Sequence, residues 1–138
     1  MYTTRVDEPI QDGGKAPAKR RVLAVDDDEG LREIFSLTMS MGGFEVACAP
    51  DGLSALAVME QFKPDFIALD LMMPRMNGLQ FCGKLTESGV RIPIIIVSAC
   101  WEKFDMDLLR QDVNIVGFLH KPLRYPTLID SINKILPP

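Results

Sequence analysis

RVLAVDDDEGLREIFSLTMSMGG, residues 21–43, contains one complete unit of strand, loop and helix. After Arg21 the next four residues are apolar, and four acids follow, Asp26, Asp27, Asp28 and Glu29. Leu31, Ile34, Phe35, Thr38 and Met39 then recur at the spacing of one helix face, until Gly42 and Gly43 stop the pattern. The same alternation recurs along the rest of the chain. FEVACA (44–49) reads as a strand, and Asp51 as the N-cap of a helix with Leu53, Leu56, Ala57 and Phe62 facing inward. Lys63-Pro64 closes that unit. DFIALD (65–70) reads as the third strand, and a loop with Pro74, Asn77 and Gly78 leads to a helix over 79–87. PIIIV (93–97) is apolar throughout after its proline, as a strand covered on both faces near the sheet centre should be. A weaker helical pattern over 103–111, a fifth strand IVGFL (115–119) and a helix over 125–135 with Pro126 in its first turn complete the series.

Strands that alternate with helices predict a parallel sheet wrapped on both faces. Right-handed crossovers then restrict five such units to a doubly wound α/β fold, the flavodoxin-like (βα)5 sheet with strand order 2-1-3-4-5. Residues 1–19 hold Pro9, Gly13, Gly14 and Pro17 among polar residues without a hydrophobic period, and are expected to be a disordered leader. Residues 20–138 are expected to form the single folded domain.

The composition excludes several classes of function. A net charge of −4 and an isoelectric point near 4.9 argue against nucleic-acid binding, which needs a basic face. Only the first 21 residues lean the other way, with five basic residues against three acidic ones. No apolar run approaches the length of a membrane span, and the N-terminus lacks a secretory pattern, so a cytoplasmic chain without membrane contact is expected. Cys48, Cys82 and Cys100 are far apart and outside any metal-binding spacing, which reads as free thiols. His120 reads as a strand-end residue.

In an open α/β sheet ligands bind at the carboxyl ends of the strands. Here those ends carry Asp26-Asp27, Asp70, Ser98 and His120-Lys121-Pro122. Three carboxylates, a hydroxyl and an ammonium would converge on one rim. Crowded carboxylates repel, and hard oxygen ligands of this kind suit Mg²⁺ that keeps several waters and bridges to a phosphate. Lys121 and Ser98 could supply the charge and donors that a phosphoryl group needs. For any one of these acids helix capping is a sufficient explanation; for the whole set it is not.

VLAVDDDEGLRE, FIALDLMMPRMNG, IPIIIVSA and GFLHKPL resemble the signature segments of the receiver domains of two-component response regulators, over residues 20 to 135. The resemblance implies that Asp70 is the phosphoacceptor, that Asp26 and Asp27 are the metal-binding pair, and that Met72 is a ligand through its carbonyl. It makes Ser98 the switch hydroxyl, Phe118 the switch aromatic, and Lys121 the holder of the phosphoryl oxygens beside a cis bond to Pro122. Asn114 stands where the family often has glycine, and a left-handed conformation is expected there. The implied partners are a sensor histidine kinase or histidine phosphotransfer protein and a downstream protein, reached through the face of the fourth helix, fifth strand and fifth helix. A stand-alone receiver is expected. Met72 and Cys100, two residues beyond Asp70 and Ser98, offer little to orient an attacking water, so slow loss of the phosphoryl group is expected. Trp101 is expected to report movement of the Ser98 loop.

Two other α/β readings fit less well. A haloacid-dehalogenase-type phosphatase needs a second Asp two residues after the nucleophile, where this chain has Met72. A flavin-binding protein needs a phosphate-cradling loop after the first strand, where this chain has four acids. A receiver-like docking module without phosphorylation is the remaining alternative.

Overall fold

The structure, a computed structural model, describes residues 19–99 and 101–136, Trp101 by its backbone alone. The expected leader, apart from Lys19, and Cys100 lie outside the described residues, as does the Trp101 side chain. Five strands, β1 (Arg21–Val25), β2 (Glu45–Ala49), β3 (Phe66–Leu69), β4 (Ile94–Ser98) and β5 (Ile115–His120), form one parallel sheet in the order β2-β1-β3-β4-β5. The helices are α1 (Glu29–Met41), α2 (Gly52–Phe62), α3 (Gly78–Glu87), α4 (Met106–Arg110) and α5 (Tyr125–Ile135). This is the expected flavodoxin-like arrangement.

Period-two alternation divides the core between the two faces of the sheet. Leu23, Val25, Ile67, Leu69, Ile94 and Ile96 face one way and pack with Ala55 of α2, Phe81 and Leu85 of α3, and Leu109 of α4. Val22, Ala24, Phe66, Ala68, Ile95 and Val97 face the other way, against Phe35 and Met39 of α1 and Leu128 and Ile132 of α5. Strands β3 and β4 are therefore buried at every position, while the edge strands β2 and β5 are mixed.

Some expectations about helix faces need correction. In α1 only Phe35 and Met39 are buried; Leu31 and Ile34 are 38% and 52% exposed. The cause lies in the strands beneath: Ala24 and Ala68 pair in register and leave a cavity of about 540 Å³ that Leu31, Ile34, Phe35 and Tyr125 surround without filling. In α2 Ala55 is the inward residue, and Leu53 and Ala57 are exposed. The fourth helix is shorter than expected, a 3-10 turn at Trp101–Lys103 followed by five α-helical residues.

Asn114 is not left-handed. It is a buried clasp whose Oδ1 accepts from the Ile92 N–H (3.2 Å) and whose Nδ2 donates to the Val90 carbonyl (3.0 Å). It joins the turns that enter β4 and β5 at the end of the sheet opposite the acidic rim. Among the described residues, the non-glycine residues with positive φ are Lys63 and Arg75.

Asn77 starts α3 with a reciprocal capping box: its side chain accepts from the Gln80 N–H (2.9 Å), and the Gln80 side chain accepts from the Asn77 N–H (3.0 Å). Asn77→Ala is expected to cost about 1 kcal/mol, roughly 4 °C in melting temperature by circular dichroism. An unchanged melting temperature would show that the box carries no net stability.

Candidate functional site

The acidic rim is assembled by the ends of β1, β3 and β5. Asp26 follows β1 and is held by its backbone, whose N–H donates to the Ala49 carbonyl and whose carbonyl accepts from Arg32 (2.8 Å). Its Oδ1 accepts from the Asp28 N–H (2.9 Å), and Asp28 itself caps α1 by accepting from the Leu31 N–H (3.0 Å). Two of the four consecutive acids are thus explained by the helix they begin: Asp28 as its cap, and Glu29 as a negative charge in its first turn. That leaves Asp26 and Asp27 facing Asp70.

One carboxylate oxygen from each of Asp26, Asp27 and Asp70 lies within 4.8 Å of the others. Asp70 is buried, Asp26 half-buried and Asp27 exposed, so the cluster has one dry side and one open to water. This fits a hard divalent cation that keeps part of its hydration shell. Lys121 reaches in from the end of β5, its Nζ 2.9 Å from Asp26 Oδ2 and 3.3 Å from Asp70 Oδ2. The Lys121 N–H donates to the Ser98 carbonyl (3.1 Å), and the bond from Lys121 to Pro122 is cis.

Burial pushes the Asp70 carboxyl above the ordinary carboxylate range; Lys121 opposes that shift and Asp26 adds to it. For Lys121 burial acts against the charge, but the hydrogen bond to Asp26 and the charges of Asp70 and Asp26 outweigh it and hold the ammonium above its usual value. The Met72 N–H donates to Asp70 Oδ1 at 3.3 Å, while the Met72 side chain is exposed. Ser98 is fully buried at the end of β4, in register with His120. Phe118, half-buried on β5, packs with the core on the α2 to α4 face, under the guanidinium of Arg110 at 5.7 Å. His120 ends β5 and is exposed, as its reading as a strand-end residue anticipates.

The structure therefore brings Asp26, Asp27, Asp70 and Lys121 together, with Ser98 on the adjoining strand end. Sequence reasoning missed Arg32, which fixes the Asp26 backbone, and Arg75, which meets Asp51 beyond the rim. Of the cysteines, Cys48 is raised by burial, and Cys82 is pushed up to about 12 by burial and the charge of Asp112. Neither is a reactive thiolate at neutral pH.

Residues 22–133 match the family model of the response regulator receiver domain. The chain belongs to this family. This receiver is 34% identical over 116 residues to response regulator MprA of Mycobacterium leprae, an alignment that covers 84% of the chain and 50% of that relative. It spans about half the length of the curated relatives it matches. Among solved structures, Vibrio cholerae chemotaxis protein CheY4 is 31% identical with a TM-score of 0.74, covering 86% of this chain and all of that one. The Thermotoga maritima response regulator TrrA, solved in complex with Mg²⁺–BeF, is 25% identical with a TM-score of 0.73, covering 85% of this chain and 99% of that one. Family membership removes the phosphatase and flavoprotein readings. Among the described residues no helix is long and apolar enough to cross a membrane.

Proposed function

We propose that this receiver accepts a phosphoryl group on Asp70 from a histidine kinase or histidine phosphotransfer protein and uses it to change its α4–β5–α5 face toward a downstream protein. The observation that carries this reading is the Lys121 ammonium set between Asp26 and Asp70 within a three-carboxylate cluster. In the step proposed, an Asp70 oxygen attacks the phosphorus of a phosphohistidine, the P–O bond forms as the P–N bond breaks, and the imidazole leaves. Lys121 holds the equatorial oxygens as charge shifts onto them.

Asp26, Asp27, Asp70 and the Met72 carbonyl would hold Mg²⁺, which supplies positive charge toward the transferred oxygens. The related TrrA receiver was solved with Mg²⁺–BeF, which supports this assignment. Ser98, buried on the neighbouring strand end, would then hydrogen-bond the new phosphoryl group, and Phe118 would follow it inward. Converting a mostly inactive population into a mostly active one requires about 5.5 kcal/mol of differential stabilisation, which a few charge-assisted hydrogen bonds can supply.

Incubation with Mg²⁺ and acetyl phosphate, followed by intact-mass measurement, should add one phosphoryl group that persists for minutes or longer. Asp70→Asn should take up none. Equal uptake by Asp70→Asn, or none by the wild type, would sink the assignment and favour a docking module.

A further inference from the structure

The loop from β3 to α3 is fastened to the start of α2 by a group with no part in the rim itself. Arg75 sits at φ 60, a left-handed conformation that disfavours side chains with a Cβ. Its Nε and one terminal nitrogen lie 2.9 and 2.7 Å from a single oxygen of Asp51, and that nitrogen also donates to Ser54 Oγ at 2.9 Å. Asp51 is 4% exposed, and its other oxygen caps α2 by accepting from the Ser54 N–H at 2.8 Å. A second fastening lies beside the first: the Gly52 N–H donates to the Met76 carbonyl at 2.9 Å, and a Cβ on Gly52 would come within 2.8 Å of Met76.

Both fastenings act on the segment that begins at Asp70. Between Asp70 and Arg75 lie only Leu71, Met72, Met73 and Pro74, and the Met72 N–H already donates to Asp70 Oδ1. A buried carboxylate opposite a guanidinium is costly to leave half-paired, so the clasp resists opening. The strained backbone at Arg75 is tolerated where the surroundings over-determine it.

We infer that Arg75 is a positioning residue for the cation site: by gripping Asp51 and Ser54 at the head of α2, it holds the Met72 segment in place against Asp70. This rests on the functional reading above. Residues behind a metal's direct ligands commonly contribute tenfold or more to affinity through orientation.

Arg75→Asn tests this without disturbing the backbone, because asparagine tolerates the left-handed conformation. Mg²⁺ affinity measured by calorimetry should fall about tenfold. Phosphoryl uptake from acetyl phosphate should slow at low Mg²⁺ and recover at saturating Mg²⁺. Amide exchange at Met72 should quicken, and Arg75→Lys, which keeps the charge but not the fork, should rescue only part of the affinity. Asn114→Ala, at the opposite end of the sheet, controls for general loss of stability and should bind Mg²⁺ as the wild type does. Wild-type affinity in Arg75→Asn, or an equal loss in both variants, overturns the inference. Wild-type protein that binds no Mg²⁺ overturns the functional reading itself.

Discussion

Asp70→Asn is expected to make the metal-free protein more stable, by on the order of 1–2 kcal/mol or about 5 °C in melting temperature. Asp70 is the buried member of the acidic cluster; burial and the neighbouring Asp26 both oppose its charge, and Lys121 compensates only in part. An amide of the same shape removes that charge and leaves Lys121 its 2.9 Å pair with Asp26. Asp27 is exposed and has less to gain from the same change. The pH dependence follows from the upward direction of the shift. Below the ordinary carboxylate range Asp70 is protonated in both folded and unfolded chains, and variant and wild type should differ little on this account. As pH rises from the ordinary carboxylate range through the raised native value the wild type loses stability relative to the variant, so the gap widens toward neutral pH. Mg²⁺ should close it by stabilising the wild type, about 1.4 kcal/mol at ten times the dissociation constant, with a weaker effect on the variant. Thermal melts in EDTA and in Mg²⁺ at pH 7, and at a pH about one unit below the ordinary Asp value, test all of this. A variant melting at or below the wild type in EDTA at pH 7 would refute the argument.

Gly78→Ala should have the larger effect, and in the opposite direction. Gly78 is the first residue of α3, and a Cβ there would lie 2.7 Å from the Asp70 carbonyl oxygen and 2.9 Å from the Leu71 Cα. Both are backbone atoms, so rotating a side chain cannot relieve the clash. Either α3 or the end of β3 must move, at a cost of about 3 kcal/mol, roughly 10 °C in melting temperature. Gly83 in the same helix is the control: a Cβ there meets nothing within 4 Å, and alanine should stabilise by up to about 1 kcal/mol. If Gly78→Ala melts within about 2 °C of wild type, the close approach of α3 to the end of β3 is not a constraint in solution.

These two residues mark what was legible in the sequence. The strand ends were, because β1, β3 and β4 are buried on both faces and read as unbroken apolar runs stopped by Asp26, Asp70 and Ser98. The rim was legible for the same reason, since a parallel sheet gathers its strand ends on one side. The inward faces of α1 and α2 were read less well: helical spacing names a stripe, but Ala24 and Ala68 leave Ile34 without a floor. The grip of Arg75 on Asp51 was hidden because it joins residues 24 apart through a loop whose backbone conformation no periodicity announces.

The order in which a ribosome delivers these parts has a consequence. Asp26, Asp27 and Asp70 emerge early, at the ends of β1 and β3, which lie side by side in the sheet. Lys121, which bridges Asp26 and Asp70, arrives near the end of the domain with β5, an edge strand. A nascent chain lacking its fifth strand therefore carries the acids without their lysine, and its competence for the proposed chemistry waits on completion of the sheet.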